Sequence, residues 1–262
     1  MSYQRQFLSD VILRIDFVSI EESLKKRISP DVKNVCVKHF PIPEERTVET
    51  QQVLVTNEPG VQNTVLNKEQ YLEWHFFGKE KEKELCISSN CMFIDIKRYT
   101  SFVDLKQQFF EIMDILLQKY PAIRINRIGL RYVNQISLSL EKKPRKSWNN
   151  YWNKYISDAL VKPLAFVDND SALARHMSSV EMNYGDYLLR FQYGIFNPDY
   201  PAANKKNTFV IDTDIYATGL IDGEDVKAYA EVFHGKANEW FERAIKQELR
   251  DKLGGTKVYA GQ

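Results

Sequence analysis

Hydrophobic positions along the chain change period several times. From Val11 to Phe17, apolar residues alternate with Arg14 and Asp16, which predicts a half-buried strand. Ser19 and Glu22 have capping-box spacing, and Ile20, Leu24 and Ile28 follow on one side. A short helix closed by Pro30 is expected there. Strands are then predicted at Val35–Phe40, Val48–Val55, Tyr71–Phe77, Leu85–Ser88 and Met92–Tyr99, separated by turn residues in the manner of an antiparallel meander.

A strong helical period begins after Ser101. Phe102, Leu105, Phe109, Ile112 and Leu116 share one face, Ser101 and Asp104 suit the N-terminus, and Pro121 ends it. Ile125–Leu140 reads with period two. Ile128, Leu130, Tyr132, Ile136 and Leu138 fall on one face, and Asn134 falls with them. A buried Asn there needs hydrogen-bond partners, and Gly129 in the same strand marks a bulge or close backbone approach. After a basic connector comes a short helix with Trp152, Tyr155 and Ala159, stopped by Pro163. One long strand from Val180 to Phe196 and another from Phe209 to Ala217 are then expected. The last element reads as a helix from Gly223 to Leu253, capped by Asp222 and stopped by Gly254–Gly255. It would be roughly 45 Å long at 1.5 Å per residue.

These elements predict an α+β fold: extended antiparallel sheet with long helices packed on one face. Phe93–Tyr99 and Val210–Tyr216 match in spacing, with Asp95 against Asp212 and Tyr99 against Tyr216. Two similar sheet-plus-helix halves, fused or separate, would explain the match, and so would chance between two patterned strands. The expected parts are a first half over 1–140, a connector over 141–165, a second half over 166–255, and a loose tail over 256–262.

Composition narrows the function classes. The chain has 262 residues, 44% of them hydrophobic, which excludes disorder and disulfide scaffolds. Its 36 basic and 35 acidic residues leave a net charge of +1, so a dedicated nucleic-acid binder is not favoured. Lys142, Lys143, Arg145 and Lys146 lie near Trp148, Tyr151 and Trp152, a short cluster that suits a solvated connector better than a strand-binding surface. The first residues show no secretory pattern and no apolar run would span a membrane, so a cytoplasmic protein is expected. Cys36, Cys86 and Cys91 read as ordinary reduced, buried thiols. No metal site and no cofactor are expected: the four histidines are scattered, and phosphate-loop and nucleophile-elbow motifs are missing.

The predicted outer strand faces collect Arg14, Arg127, Arg131, Arg190, Asp212 and Asp214 as a candidate binding set. Two readings stand. In one, guanidinium groups fork onto a bound carboxylate or phosphate; in the other, cross-strand ion pairs lace a solvated face. Asp212 and Asp214 could also hold Mg²⁺ in a nuclease, although no third acid or histidine falls at a telling offset.

Arg127-Ile-Gly-Leu-Arg-Tyr-Val-Asn-Gln-Ile136 is similar to the GLRYxNxI hallmark of an uncharacterised, sporadically distributed prokaryotic family. Phe233-His234 with Phe241-Glu242 resembles its C-terminal LH…FE pattern, Phe233 standing where that family more often has Leu. Val210–Tyr216 resembles its iDiD strand. The resemblance implies signature positions at Gly129, Arg131, Tyr132, Asn134, His234, Phe241 and Glu242, expected to join the long strand to the long helix. It implies no catalytic residues. With no catalytic constellation and a mosaic polar sheet face, the resemblance implies a non-catalytic binding or accessory subunit of an anti-phage defence or toxin–antitoxin-like module, acting through contact with a protein encoded nearby. The alternatives are a small-molecule or nucleotide module between sheet and long helix, with Arg131 and Arg190 facing an anion, and, third, the nuclease.

Overall fold

The computed structural model describes residues 7–58, 61–138, 151–204 and 208–254, with side chains described outside 50–58, 61–67 and 69. Lys142 to Trp148 and the tail 256–262 lie outside the described residues. Among the described residues, nine strands form one antiparallel sheet: β1 (Leu8–Phe17), β2 (Ile42–Glu58), β3 (Val61–Phe77), β4 (Lys83–Ile87), β5 (Cys91–Ile96), β6 (Ile125–Ser137), β7 (His176–Asn183), β8 (Leu188–Ile195) and β9 (Thr208–Ile221). Their order is β2-β3-β4-β5-β1-β6-β9-β8-β7. β6 thus pairs with β9, and the buried side chains of both halves form one continuous core.

Register sorts the side chains by face. Leu13 stands opposite Ile94 and Leu130, and Leu130 opposite Ile215; all four are fully buried. Burying each such side chain stabilises the fold by about 1.5–3 kcal/mol. The alternate residues make the other face, where Arg14 stands opposite Gly129, Asp16 opposite Arg127, and Arg131 opposite Asp214.

The helices are α1 (Pro30–His39), α2 (Phe102–Lys119), α3 (Asp158–Val161), α4 (Gly223–Ala244) and α5 (Gln247–Lys252). The Ser101 hydroxyl caps α2 by accepting from the Asp104 amide at 3.0 Å, and Asp222 caps α4 by accepting from the Asp225 amide at 2.8 Å. α2 contacts β5 and α4, and α4 contacts β6 and β9. No described helix is long and apolar enough to cross a membrane.

Several expected elements differ. Residues 35–39 belong to α1, and Phe40 is its C-cap, so no strand forms there. Val32, Cys36 and Phe40 are buried four apart, and Pro30 starts the helix because its missing N–H is not needed in the first turn. The helix expected before Pro30 is one 3₁₀ turn over Glu22–Lys25, capped by Glu21 and not by Ser19. The strand expected from Val180 to Phe196 is a hairpin; Gly185, at φ +89°, makes the turn, and its amide donates to the Asn183 side chain at 2.8 Å.

The helix expected to run to Leu253 breaks at Ile245. That residue is extended and bridges Ile156, while the Lys246 amide donates to the Tyr155 carbonyl at 2.8 Å. This pairing, with Trp152 buried against Phe209, anchors the described part of the connector.

Candidate functional site

Along β6, period two sends Tyr132 and Asn134 one way and Arg131 the other. Tyr132 lies opposite Thr213 on β9, and Asn134 opposite Ile211. On α4, His234, Ala237, Asn238, Phe241 and Glu242 recur at three- and four-residue spacing and so share one face. The first turn of α2 adds Ser101, Phe102, Val103 and Lys106. Together these side chains line a cavity of about 490 Å³ between the β6–β9 floor and the two helices, with Phe7, Leu8, Tyr99 and Leu253 completing its wall. Cavities of this size take drug-sized molecules.

The wall is held by a chain of neutral polar groups. The Asn238 amide nitrogen lies 3.1 Å from His234 Nε2, and His234 Nδ1 lies 2.8 Å from the Tyr132 hydroxyl. With Nε2 accepting from Asn238, Nδ1 carries the proton and donates to Tyr132, whose own hydroxyl donates to Tyr99. Burial lowers the His234 pKa, and burial raises that of Tyr132, so both rings are neutral at pH 7. Phe102 stacks on His234, their centroids 4.1 Å apart and planes 7° apart.

Two floor residues stand out. Asn134 is 7% exposed and Thr213 is 2% exposed, yet neither side chain has a hydrogen-bond partner among the described residues. Both line the cavity, so their polar atoms face its open space. Charges near the cavity are already matched: Lys106 pairs with Glu231, and Arg250 donates to Glu242 at 2.8 Å.

The charged set sits on the opposite sheet face, where its arginines pair with carboxylates of the sheet, only Arg131 with a member of the set. Arg131 grips Asp212 with two hydrogen bonds, at 2.9 and 2.6 Å. Arg14 Nε and Arg127 Nη1 approach Asp16 at 2.6 and 3.3 Å, and Arg190 pairs with Glu181 across the β7–β8 hairpin at 3.0 Å. Burial raises the Asp214 pKa, and Arg127 and Arg131 oppose the shift. Gly129 leaves room for Arg127. A Cβ there would lie 3.1 Å from the Arg127 guanidinium, which stands 4.8 Å from the Tyr216 ring centroid. The bulge in this strand falls at Ile125/Arg127, not at Gly129.

Arg131 and Arg190 therefore do not face an anion between sheet and helix; alternation places them on the far side from Tyr132. A divalent ion at Asp212 and Asp214 would compete with Arg131 and meet the charges of Arg127 and Arg190. No family model matches the chain, and no curated protein matches it. Tyr132, Asn134, His234, Phe241 and Glu242 line the cavity, whereas Gly129 and Arg131 belong to the charged face.

Sequence reasoning missed Thr213, Asn238, Phe102 and Tyr99 as partners of this group. Its one usable signal was a polar residue, Asn134, in phase with an apolar strand face.

Proposed function

We propose that this protein binds a small, neutral, planar molecule in the cavity between β6–β9 and α2–α4. The observation that carries this reading is the buried Asn134–Thr213 floor, whose carboxamide and hydroxyl have no protein partner among the described residues. A carboxamide offers a donor and an acceptor side by side, which suits an amide or heterocycle edge. Phe102, Phe241 and Val103 supply apolar walls, and the charges of Lys106, Glu231 and Glu242 are paired among the described residues. The His234–Tyr132–Tyr99 chain fixes the wall in one arrangement.

The cavity favours this over the expected protein-contact subunit of a defence module, which draws no argument from it. The same reading takes the chain as two similar halves with both long helices on the apolar sheet face. β3-β4-β5 and β9-β8-β7 flank the central β1–β6 pair, and β5 and β9 each lead into a long helix. The ligand would then sit where the two halves' helices meet.

The test is fluorescence titration with N-phenyl-1-naphthylamine, alongside mass spectrometry of small molecules released by denaturing the purified protein. Ala237→Phe fills the cavity and Asn134→Leu removes its polar floor. Saturable dye binding lost in Ala237→Phe, with a released compound missing from Asn134→Leu, is the expected result. Equal dye binding by the wild type and Ala237→Phe, with nothing released, overturns the reading.

A further inference from the structure

On the charged side of the sheet, far along the β3–β4 hairpin, three side chains of different chemistry meet. Glu73 and His75 are two apart on β3 and so share a face, and Cys86 stands directly opposite His75 on β4. His75 Nε2 lies 3.3 Å from Glu73 Oε2 and 3.9 Å from Cys86 Sγ, and the three donor atoms lie within 4.8 Å of one another. His75 is 5% exposed and Cys86 2% exposed, while the Glu73 side chain is 26% exposed and opens the group to solvent. On the other side of the ring, Nδ1 lies 2.6 Å from Glu84 Oε1.

Glu84 gives the ring a carboxylate partner at Nδ1. In the neutral tautomer with Nδ1–H donating to Glu84, the Nε2 lone pair turns toward Glu73 and Cys86. A lone pair facing a carboxylate oxygen at 3.3 Å is repulsive unless a proton or a cation lies between them. Zinc bonds of about 2.0–2.3 Å at tetrahedral angles place donor atoms about 3.3–3.6 Å apart; Nε2 to Glu73 matches at 3.3 Å, while Cys86, at 3.9 Å from Nε2, must close in by a few tenths of an ångström. A carboxylate behind the distal nitrogen is the usual support of a metal-bound imidazole.

We propose that Glu73, His75 and Cys86 bind one zinc ion, with Glu84 positioning the imidazole and the fourth place left open toward solvent. Imidazole, thiolate and carboxylate together favour zinc over the hard cations, which take oxygen ligands. Cys91 lies outside the donor set, so the sequence spacing of Cys86 and Cys91 carries no signal; the relevant partner is eleven positions upstream.

The experiment uses the full chain, freed of metal with a chelator and titrated with Co²⁺ alone, then with Zn²⁺. Binding of one Co²⁺ per chain with a thiolate-to-cobalt charge-transfer band, bleached by Zn²⁺, is expected. The band disappears in Cys86→Ser and persists in Cys91→Ser. Glu73→Gln and Glu84→Gln, both at partly exposed positions, weaken Co²⁺ binding about 10–100-fold with circular dichroism unchanged. These two variants decide the matter if Cys86→Ser does not fold. The proposal fails if no charge-transfer band forms, as expected if His75 is an imidazolium between two carboxylates. It also fails if the band follows Cys91, or if both glutamine variants bind Co²⁺ as tightly as the wild type.

Discussion

Replacing Arg131 by Met distinguishes an internal ion pair from a docking site for an outside anion. The change keeps the aliphatic stem and removes both hydrogen bonds to Asp212. The Asp212 side chain is 10% exposed and that of Arg131 is 44% exposed. Stripping the partner from a fully buried carboxylate costs about 3–5 kcal/mol. Solvent around the half-exposed guanidinium reduces this to about 1–2 kcal/mol. At about 2–4 °C per kcal/mol for a chain of this size, melting should fall by about 2–8 °C. Asp212→Asn should cost less, because the guanidinium it strands can reach water.

The double variant should recover part of the loss, with a coupling of about 1 kcal/mol in a double-mutant cycle by urea unfolding. Millimolar phosphate or sulfate should leave the wild type unchanged. Single-variant losses that simply add, or an Arg131→Met protein melting within about 1 °C of wild type, would refute the pairing argument.

Three further outcomes are expected. Burial lowers the His234 pKa, so below its ordinary value of about 6.5 the unfolded chain binds more protons than the folded one. Stability is therefore fully present above that pH and lost as pH falls through it; urea midpoints measured across the range should show this. His234→Gln should shallow the slope without abolishing it, since burial lowers His176 as well. Gly194→Ala should cost more than about 2 kcal/mol in urea unfolding, because φ there is +147° and a Cβ would lie 2.0 Å from the His176 carbonyl oxygen. Trp152→Ala should cost about 3–5 kcal/mol by the same measurement, and Trp152→Phe much less, since it keeps a ring against Phe209 and removes an indole N–H with no partner among the described residues.

Local chemistry was readable in part of the sequence, although the Glu21 cap and the Asn183–Gly185 turn were misread. The alternation in β1, the Ser101 cap of α2 and the Asp222 cap of α4 depend on neighbours within a few residues. Val35–Phe40 misled because Val35, Val37 and Phe40 suit a strand, while the buried set that matters, Val32, Cys36 and Phe40, repeats every four residues. The break at Ile245 was hidden because its cause, the bridge to Ile156, lies in a distant segment. Distance also hid the cavity. Tyr132 and Thr213 come from strands far apart in sequence, and His234 approaches them only after α4 packs across the sheet. Asn134 was visible as an anomaly, but the open hydrogen bonds that give it meaning exist only in the fold.

The strand order also sets a timetable for folding. β1, the earliest described strand, lies inside the sheet, between β5 and β6, which begin at Cys91 and Ile125. During synthesis its Val11, Leu13, Ile15 and Phe17 face must wait until most of the first half has left the ribosome. Closing so long a loop favours slow folding, and an unpaired apolar strand invites association meanwhile. Arg14 and Asp16, which later sit in the ion-pair network, keep that waiting strand charged on alternate positions and act as its protection against premature pairing.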